Sequence, residues 1–233
     1  MSEAPAATKP KSGGCLSKLS VLVFLAIVGG IGTGLFFMAR PQDLSDLGGY
    51  GPAAHVAPVR DIEGDLKSSI EHERAITLTE ADINQWLAKK IQTKQTGLLG
   101  NNATLERVWV RLEDGRIEVI MERKIFGAPF TSSMYLQIEQ LQKARGVDTV
   151  IRMEGGPLFP GLPKPPRGGR FGQLVVPQGF LLLVMPSYEK LAALFPSERS
   201  LILRQMSRIK LEKGKLVLDP REPTGNNGLP DTF

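Results

Sequence analysis

Arg107-Val108-Trp109-Val110-Arg111-Leu112-Glu113-Asp114-Gly115-Arg116-Ile117-Glu118-Val119-Ile120-Met121-Glu122 is the stretch that decides the fold. Val108, Val110 and Leu112 alternate with Arg107, Trp109 and Arg111. A period of two puts the apolar set on one face of a β-strand. Asp114-Gly115 is a hairpin signal, because both residues tolerate the backbone a tight turn needs. Ile117, Val119 and Met121 then repeat the alternation against Glu118, Ile120 and Glu122. A third strand is expected from about Phe130 to Gln140, with Met134, Leu136 and Ile138 inward and Thr131, Ser133 and Gln137 outward. A fourth carries Val147, Thr149, Ile151 and Met153. Four alternating strands with short connections predict an antiparallel meander with one apolar face.

Upstream, Asp61 to Arg74 predicts a helix with a thin stripe of Ile62, Leu66 and Ile70. Ile76-Thr77-Leu78 is extended, and Thr79 is a good N-cap with Asp82 three residues on. The helix that follows places Ile83, Trp86, Leu87 and Ile91 on one face. Downstream, the prolines and glycines of 155–170 predict a loop, and Phe171 to Val176 a short strand. From Pro177 the pattern turns helical, with Pro186 a kink or restart and a second short helix over about Ser197 to Met206. A hairpin closes the chain: Ile209 and Leu211, a turn at Lys213-Gly214, then Leu216 and Leu218. The fold class is α+β, a curved antiparallel sheet packed on helices.

The 21 residues from Leu19 to Ala39 carry no charge. As a helix they reach about 31 Å, enough to cross a hydrocarbon core of about 30 Å. Lys9, Lys11 and Lys18 precede the stretch; Arg40 follows it, with Asp43 and Asp46 before the next cation, Arg60. The positive-inside rule then places the N-terminus in the cytoplasm and the C-terminal domain in the periplasm or outside the cell. Phe36, Phe37 and Met38 make a poor cleavage site, which favours a signal anchor over a cleaved leader. Gly30 and Gly34 form a GxxxG pair, common in membrane helices with or without a partner. The expected organisation is a disordered cytoplasmic tail at 1–18, a transmembrane anchor at 19–39, a linker at 40–59 rich in Gly and Pro, an extracytoplasmic domain at 60–220 and a loose tail at 221–233.

Several pieces together resemble the anchored extracytoplasmic domains of the YpmS type, which are similar to TULIP-like lipid-binding domains. They are Thr77-Leu78-Thr79-Glu80 with Asn84 and Leu87, Arg123-Lys124-Ile125-Phe126-Gly127-Ala128-Pro129, Phe171-Gly172-Gln173-Leu174-Val175-Val176-Pro177, and the Lys210–Leu216 hairpin. The resemblance covers about residues 75–220. It implies a curved sheet wrapped around helices with an apolar groove, and no catalytic residues.

The residues themselves carry little chemistry. No GxSxG, HExxH, Walker-type or GxGxxG pattern occurs. A single cysteine, Cys15, excludes an intramolecular disulfide, and two histidines, His55 and His72, leave little room for a zinc site. Both histidines lie in polar stretches, and a solvated surface is expected of each. Glu118 and Glu122 alternate with arginines and are expected in cross-strand ion pairs. A net charge of +5 falls short of a nucleic-acid-binding signal. Asn102-Ala103-Thr104 is a glycosylation sequon. No enzyme activity, metal or cofactor is expected.

Two apolar features call for a partner. Trp109, with Arg107, Arg111 and Tyr135, lies on the outer face of the sheet, to be covered by the first helix or left as a partner or lipid surface. Phe180-Leu181-Leu182-Leu183-Val184-Met185 is apolar on all sides and so must be surrounded. The candidate groove therefore lies between the sheet and Phe180–Phe195, formed by Phe180, Leu182, Leu183, Met185, Trp86 and Leu87. The helix at Trp86, the Gly/Pro loop, a second chain or a lipid could complete the enclosure. The function expected is a membrane-anchored cell-envelope domain that binds lipid or an apolar envelope partner. The alternative is a structural scaffold with a filled core and no ligand.

Overall fold

The computed structural model describes residues 14–51, 58–94, 103–143 and 146–222. Lys9, Lys11, His55, Asn102 and the tail from 223 onward lie outside the described residues. The chain runs through α1 (Gly14–Ala39), α2 (Ile62–Glu71), β1 (Ile76–Thr79), α3 (Glu80–Lys94), β2 (Ala103–Glu113), β3 (Arg116–Ile125), β4 (Ala128–Lys143) and β5 (Gly146–Arg152). It continues through β6 (Pro157–Phe159), β7 (Leu162–Phe171), β8 (Leu174–Pro177), a 3₁₀ helix (Gln178–Leu183), α4 (Met185–Ala192), α5 (Pro196–Gln205), β9 (Arg208–Glu212) and β10 (Lys215–Asp219).

The fold is α+β, as the alternation predicts. β2, β3 and β4 form the antiparallel meander, with Val110 opposite Val119 and Ile120 opposite Ser133. The free edge of β4 is shared, β7 pairing at Ser132–Met134 and β5 at Gln137–Lys143. With β6 and β8 this makes a seven-stranded open sheet, and β1, β10 and β9 form a second sheet of three. Val108, Val110, Leu112, Met121 and Met134 point inward onto Trp86, Leu87 and Ile91 of α3 and Tyr188 and Leu191 of α4.

Local chemistry fixes α3 on the sheet. Thr79 and Asp82 cap it reciprocally: the Thr79 N–H donates to the Asp82 carboxylate (2.9 Å) and the Asp82 N–H to the Thr79 hydroxyl (3.1 Å). β2 is an edge strand, and side chains of α3 satisfy part of its exposed backbone. Asn84 accepts from the Val110 N–H (2.7 Å) and donates to its carbonyl (2.9 Å), and Glu80 accepts from the Leu112 N–H (2.7 Å).

The structure departs from the sequence reading at three places. The Gly/Pro loop expected at 155–170 is the β6–β7 hairpin, and the prolines of β7 lie in the half that pairs with short, irregular β6. Gly169 permits the β4–β7 approach, since a Cβ there would collide with the Ser133 carbonyl. The apolar helix expected from Phe180 is a 3₁₀ helix, and α4 begins with Pro186 in its first turn, where proline costs nothing.

The third departure concerns the stretch 40–59, read as a linker. Its first half is packed. Leu44 and Leu47 are buried against Trp109 and Ile120 on the outer face of the sheet. The Gln42 N–H donates to Thr131 Oγ1 (2.9 Å), and the Gly48 N–H to Glu80 (2.6 Å). Gly and Pro in this segment signal turns over a surface, not freedom from it.

Candidate functional site: an apolar cleft between sheet and helices

α4 and α5 are short, and Pro196 starts the second one abruptly after Phe195. Together they leave part of the inner sheet face uncovered. There a cleft of about 300 Å³ opens between the isoleucines of the sheet and the helices. Ile117, Ile138 and Ile151 form its floor, Ile138 and Ile151 being directly opposed on β4 and β5. Trp86, Phe195 and Ile202 form its walls, with the Trp86 and Phe195 rings 5.2 Å apart. Leu78 and Leu216 of the small sheet close one end.

Charge is confined to the rim, at Glu198 and Arg199. Glu198 is buried and lies 3.5 Å from Lys90, which also sits 3.5 Å from Glu63 and 5.7 Å from the centre of the Trp86 ring. The buried indole N–H of Trp86 has no hydrogen-bond partner among the described residues. Such a site offers apolar contact and a charged mouth, but no nucleophile placed beside a base. Ile151 is 43% exposed, so the cleft is open to solvent.

Of the six residues expected to form a groove, one, Trp86, lines this cleft. Leu87 is buried in the adjoining core. Phe180, Leu182 and Leu183 do not line it: they are 51, 74 and 74% exposed, and only Leu181 of that run is buried. Met185 packs, half buried, at the margin of the core. Of the covers expected for this run, neither the helix at Trp86 nor the Gly/Pro segment encloses it. A 3₁₀ turn buries one side chain where an α-helix against the sheet would bury a stripe. Ile138 and Ile151 were legible only as residues of the apolar sheet face, and Ile202 was not singled out; nothing in their spacing marks an incomplete cover.

The patch at Trp109 and Tyr135 is not a surface. Both side chains are buried, at 3% and 0% exposure, and the 42–50 segment covers Trp109 where the first helix was expected to. The Tyr50 ring packs tilted against Trp109, centroids 5.2 Å apart, the Trp109 indole N–H donates to Glu122 (2.7 Å), and the exposed Arg107 lies over the ring at 5.8 Å. Under this cover Glu118 is fully buried. It accepts from Gln42 (2.9 Å), Ser133 (2.6 Å) and Arg111 (2.9 Å), with Arg170 at 3.6 Å, and Arg111 continues to Asp46 at 2.7 Å. The ion pairs foreseen for Glu118 exist, but in the interior. Desolvation opposes the charge of Arg111, and Glu118 and Asp46 outweigh it, so its pKa is raised.

A larger polar hollow of about 570 Å³ lies at the β2–β3 turn, lined by Glu80, Arg111, Glu113, Asp114, Arg116 and Lys213. Its charged groups are engaged in the fold: Glu80 holds two backbone N–H groups, Asp114 accepts from the Lys213 N–H, and Arg116 donates to the Gly155 carbonyl. His72 is exposed and bonds within its own helix to the Ser68 carbonyl.

α1 is long and apolar enough to cross a membrane over Lys18–Ala39, and its most apolar window has no buried residue. No protein-family model matches this sequence, and no curated protein matches it.

Proposed function

We propose that this is a single-pass membrane protein whose extracytoplasmic domain holds an apolar chain, such as a lipid acyl chain, in the cleft between the β4–β5 face and helices α3 and α5. The observation that carries this reading is the cleft itself, open to solvent and apolar everywhere but its rim. A protein does not gain by leaving isoleucines facing water in a concave site unless something fills it. Arg199 and Glu198 in the lining, the latter paired with Lys90, suit a polar headgroup. The apolar α1 and the lysine asymmetry around it support the anchor and its direction. An exposed apolar segment of an envelope protein is the other occupant this chemistry admits.

The test is lipid retention by the full chain purified in detergent, compared with Ala192→Trp, which fills the cleft from a wall position. Both proteins carry the same α1 and hence the same annular lipid. Native mass spectrometry is expected to find one lipid more on the wild type than on the filled variant. Equal lipid on both would refute lipid binding and favour the scaffold reading.

A further inference from the structure

The cleft carries one charge that the fold does not use. Glu198 and Arg199 are the charged residues of its lining. Glu198 is answered by Lys90 at 3.5 Å, and Lys90 is shared with Glu63, also at 3.5 Å. Lys67 donates to Glu63 at 2.9 Å and feels Asp61 as well, but Asp61, Glu63 and Lys67 all lie outside the lining. Arg199 differs from all of these. It lines the cleft, is exposed to solvent and is paired with no carboxylate among the described residues.

Its place on α5 makes that charge part of the site. Arg199, Ile202 and Leu203 stand at i, i+3 and i+4, one face of the helix, and all three line the cleft. Phe195, a turn earlier, lines it too. An arginine stem lies along apolar neighbours while its guanidinium stays wet. Arg199 is also close to the start of α5, which no side chain caps, so the positive end of the helix dipole adds to its field.

Size and charge together narrow the ligand. The cleft, at about 300 Å³, is at the small end of ligand sites, which run from about 300 to 1,000 Å³. One hydrocarbon chain suits it; the paired chains of a diacyl lipid need more room. A single guanidinium matches a single carboxylate through two parallel hydrogen bonds. A phosphate monoester, with about two charges, calls for a second cation, and Lys90 is already held between Glu198 and Glu63.

We propose that the cleft binds the anion of a single-chain fatty acid, its chain on Ile117, Ile138 and Ile151 and its carboxylate on Arg199. This deepens the proposed function and rests on the cleft holding an apolar chain. The protein has two tryptophans that report separately: Trp86 lines the cleft, whereas Trp109 is buried with Leu44 and Leu47 on the other face of the sheet. The test uses the full chain in phosphatidylcholine nanodiscs at alkaline pH, with doxyl-labelled stearic acid and its methyl ester as quenchers at equal mole fraction in the disc. Trp86→Phe supplies the Trp109 background. Ala192→Phe fills the cleft from a lining position without adding an indole, so quenching that survives it comes from label in the bilayer.

Trp86 emission is expected to fall at about tenfold less acid than ester, the difference made by one hydrogen bond to a charged group, and Ala192→Phe to abolish the effect of both. Arg199→Gln should bring the acid down to the level of the ester, and Arg199→Lys should recover part of the difference. Unlabelled stearate should displace the labelled acid at a lower concentration than a single-chain alkyl phosphate does. Equal quenching by acid and ester, acid binding that Arg199→Gln leaves intact, or stronger displacement by the alkyl phosphate would overturn the carboxylate assignment and leave the apolar cleft standing. No cleft-dependent quenching by either probe would overturn both.

Discussion

Glu118 concentrates the chemistry that joins the 42–50 segment to the sheet. Removing a buried carboxylate that neutralises two arginines leaves their charges without an equal partner. Glu118→Ala is expected to cost about 3 kcal/mol or more in chemical denaturation, at the scale seen when one half of a buried pair is deleted; a loss within the scatter of surface substitutions would contradict its role. Asp82 gives a pH-dependent counterpart. Burial alone would raise its carboxyl, but the Thr79 N–H and hydroxyl and Arg60 outweigh burial and hold it below the ordinary range. A depressed folded pKa contributes stability that is full above the unfolded value of about 4 and lost as pH falls through the folded one. Asp82→Asn should therefore flatten the fall in melting temperature below about pH 4; an unchanged acid slope would show that Asp82 has no part in it. Thr79 and Asp82 were legible as a cap because capping is local. The burial of Glu118 was not, since it depends on a segment 76 residues away in sequence.

At the scale of elements, alternation reads well wherever one face meets a core, and β2 to β5 follow it. It fails at β7, where prolines and glycines mask the period, and at 42–50, where two leucines among Gly, Ser and Asp give no period at all. Those leucines nevertheless close the outer face of the sheet. Leu44→Ala with Leu47→Ala should destabilise the domain by about 2 kcal/mol or more, given the cost of a large-to-small change at a buried site. Protease sensitivity within 42–50 should rise in parallel, and wild-type resistance in the double variant would mean that the segment is not held by this contact. The same segment makes the path from α1 to the sheet short and bonded. A Cβ on Gly172 would collide with the carbonyls of Met38 and Arg40, so a change there acts on two elements. Gly172→Val is expected to loosen the joint and lower the melting temperature of the full chain, and an unaffected melt would contradict the close approach.

For the whole molecule, the exposed apolar run and the cleft are separate features. The 3₁₀ turn packs Leu181 on Gly168 and Gly169 of β7, while the cleft lies over Ile117, Ile138 and Ile151. The sequence pointed to an unsatisfied apolar run and to Trp86, but joined them into one groove; only the three-dimensional path of α4 separates them. The proposed function depends on the domain standing across the membrane from the N-terminal lysines. A reporter active only outside the cytoplasm, fused after Phe233, measures that directly. Activity outside, with a cytoplasmic-active reporter silent at the same position, is the predicted result. Activity of the cytoplasmic reporter would contradict the topology and, with it, the proposed function.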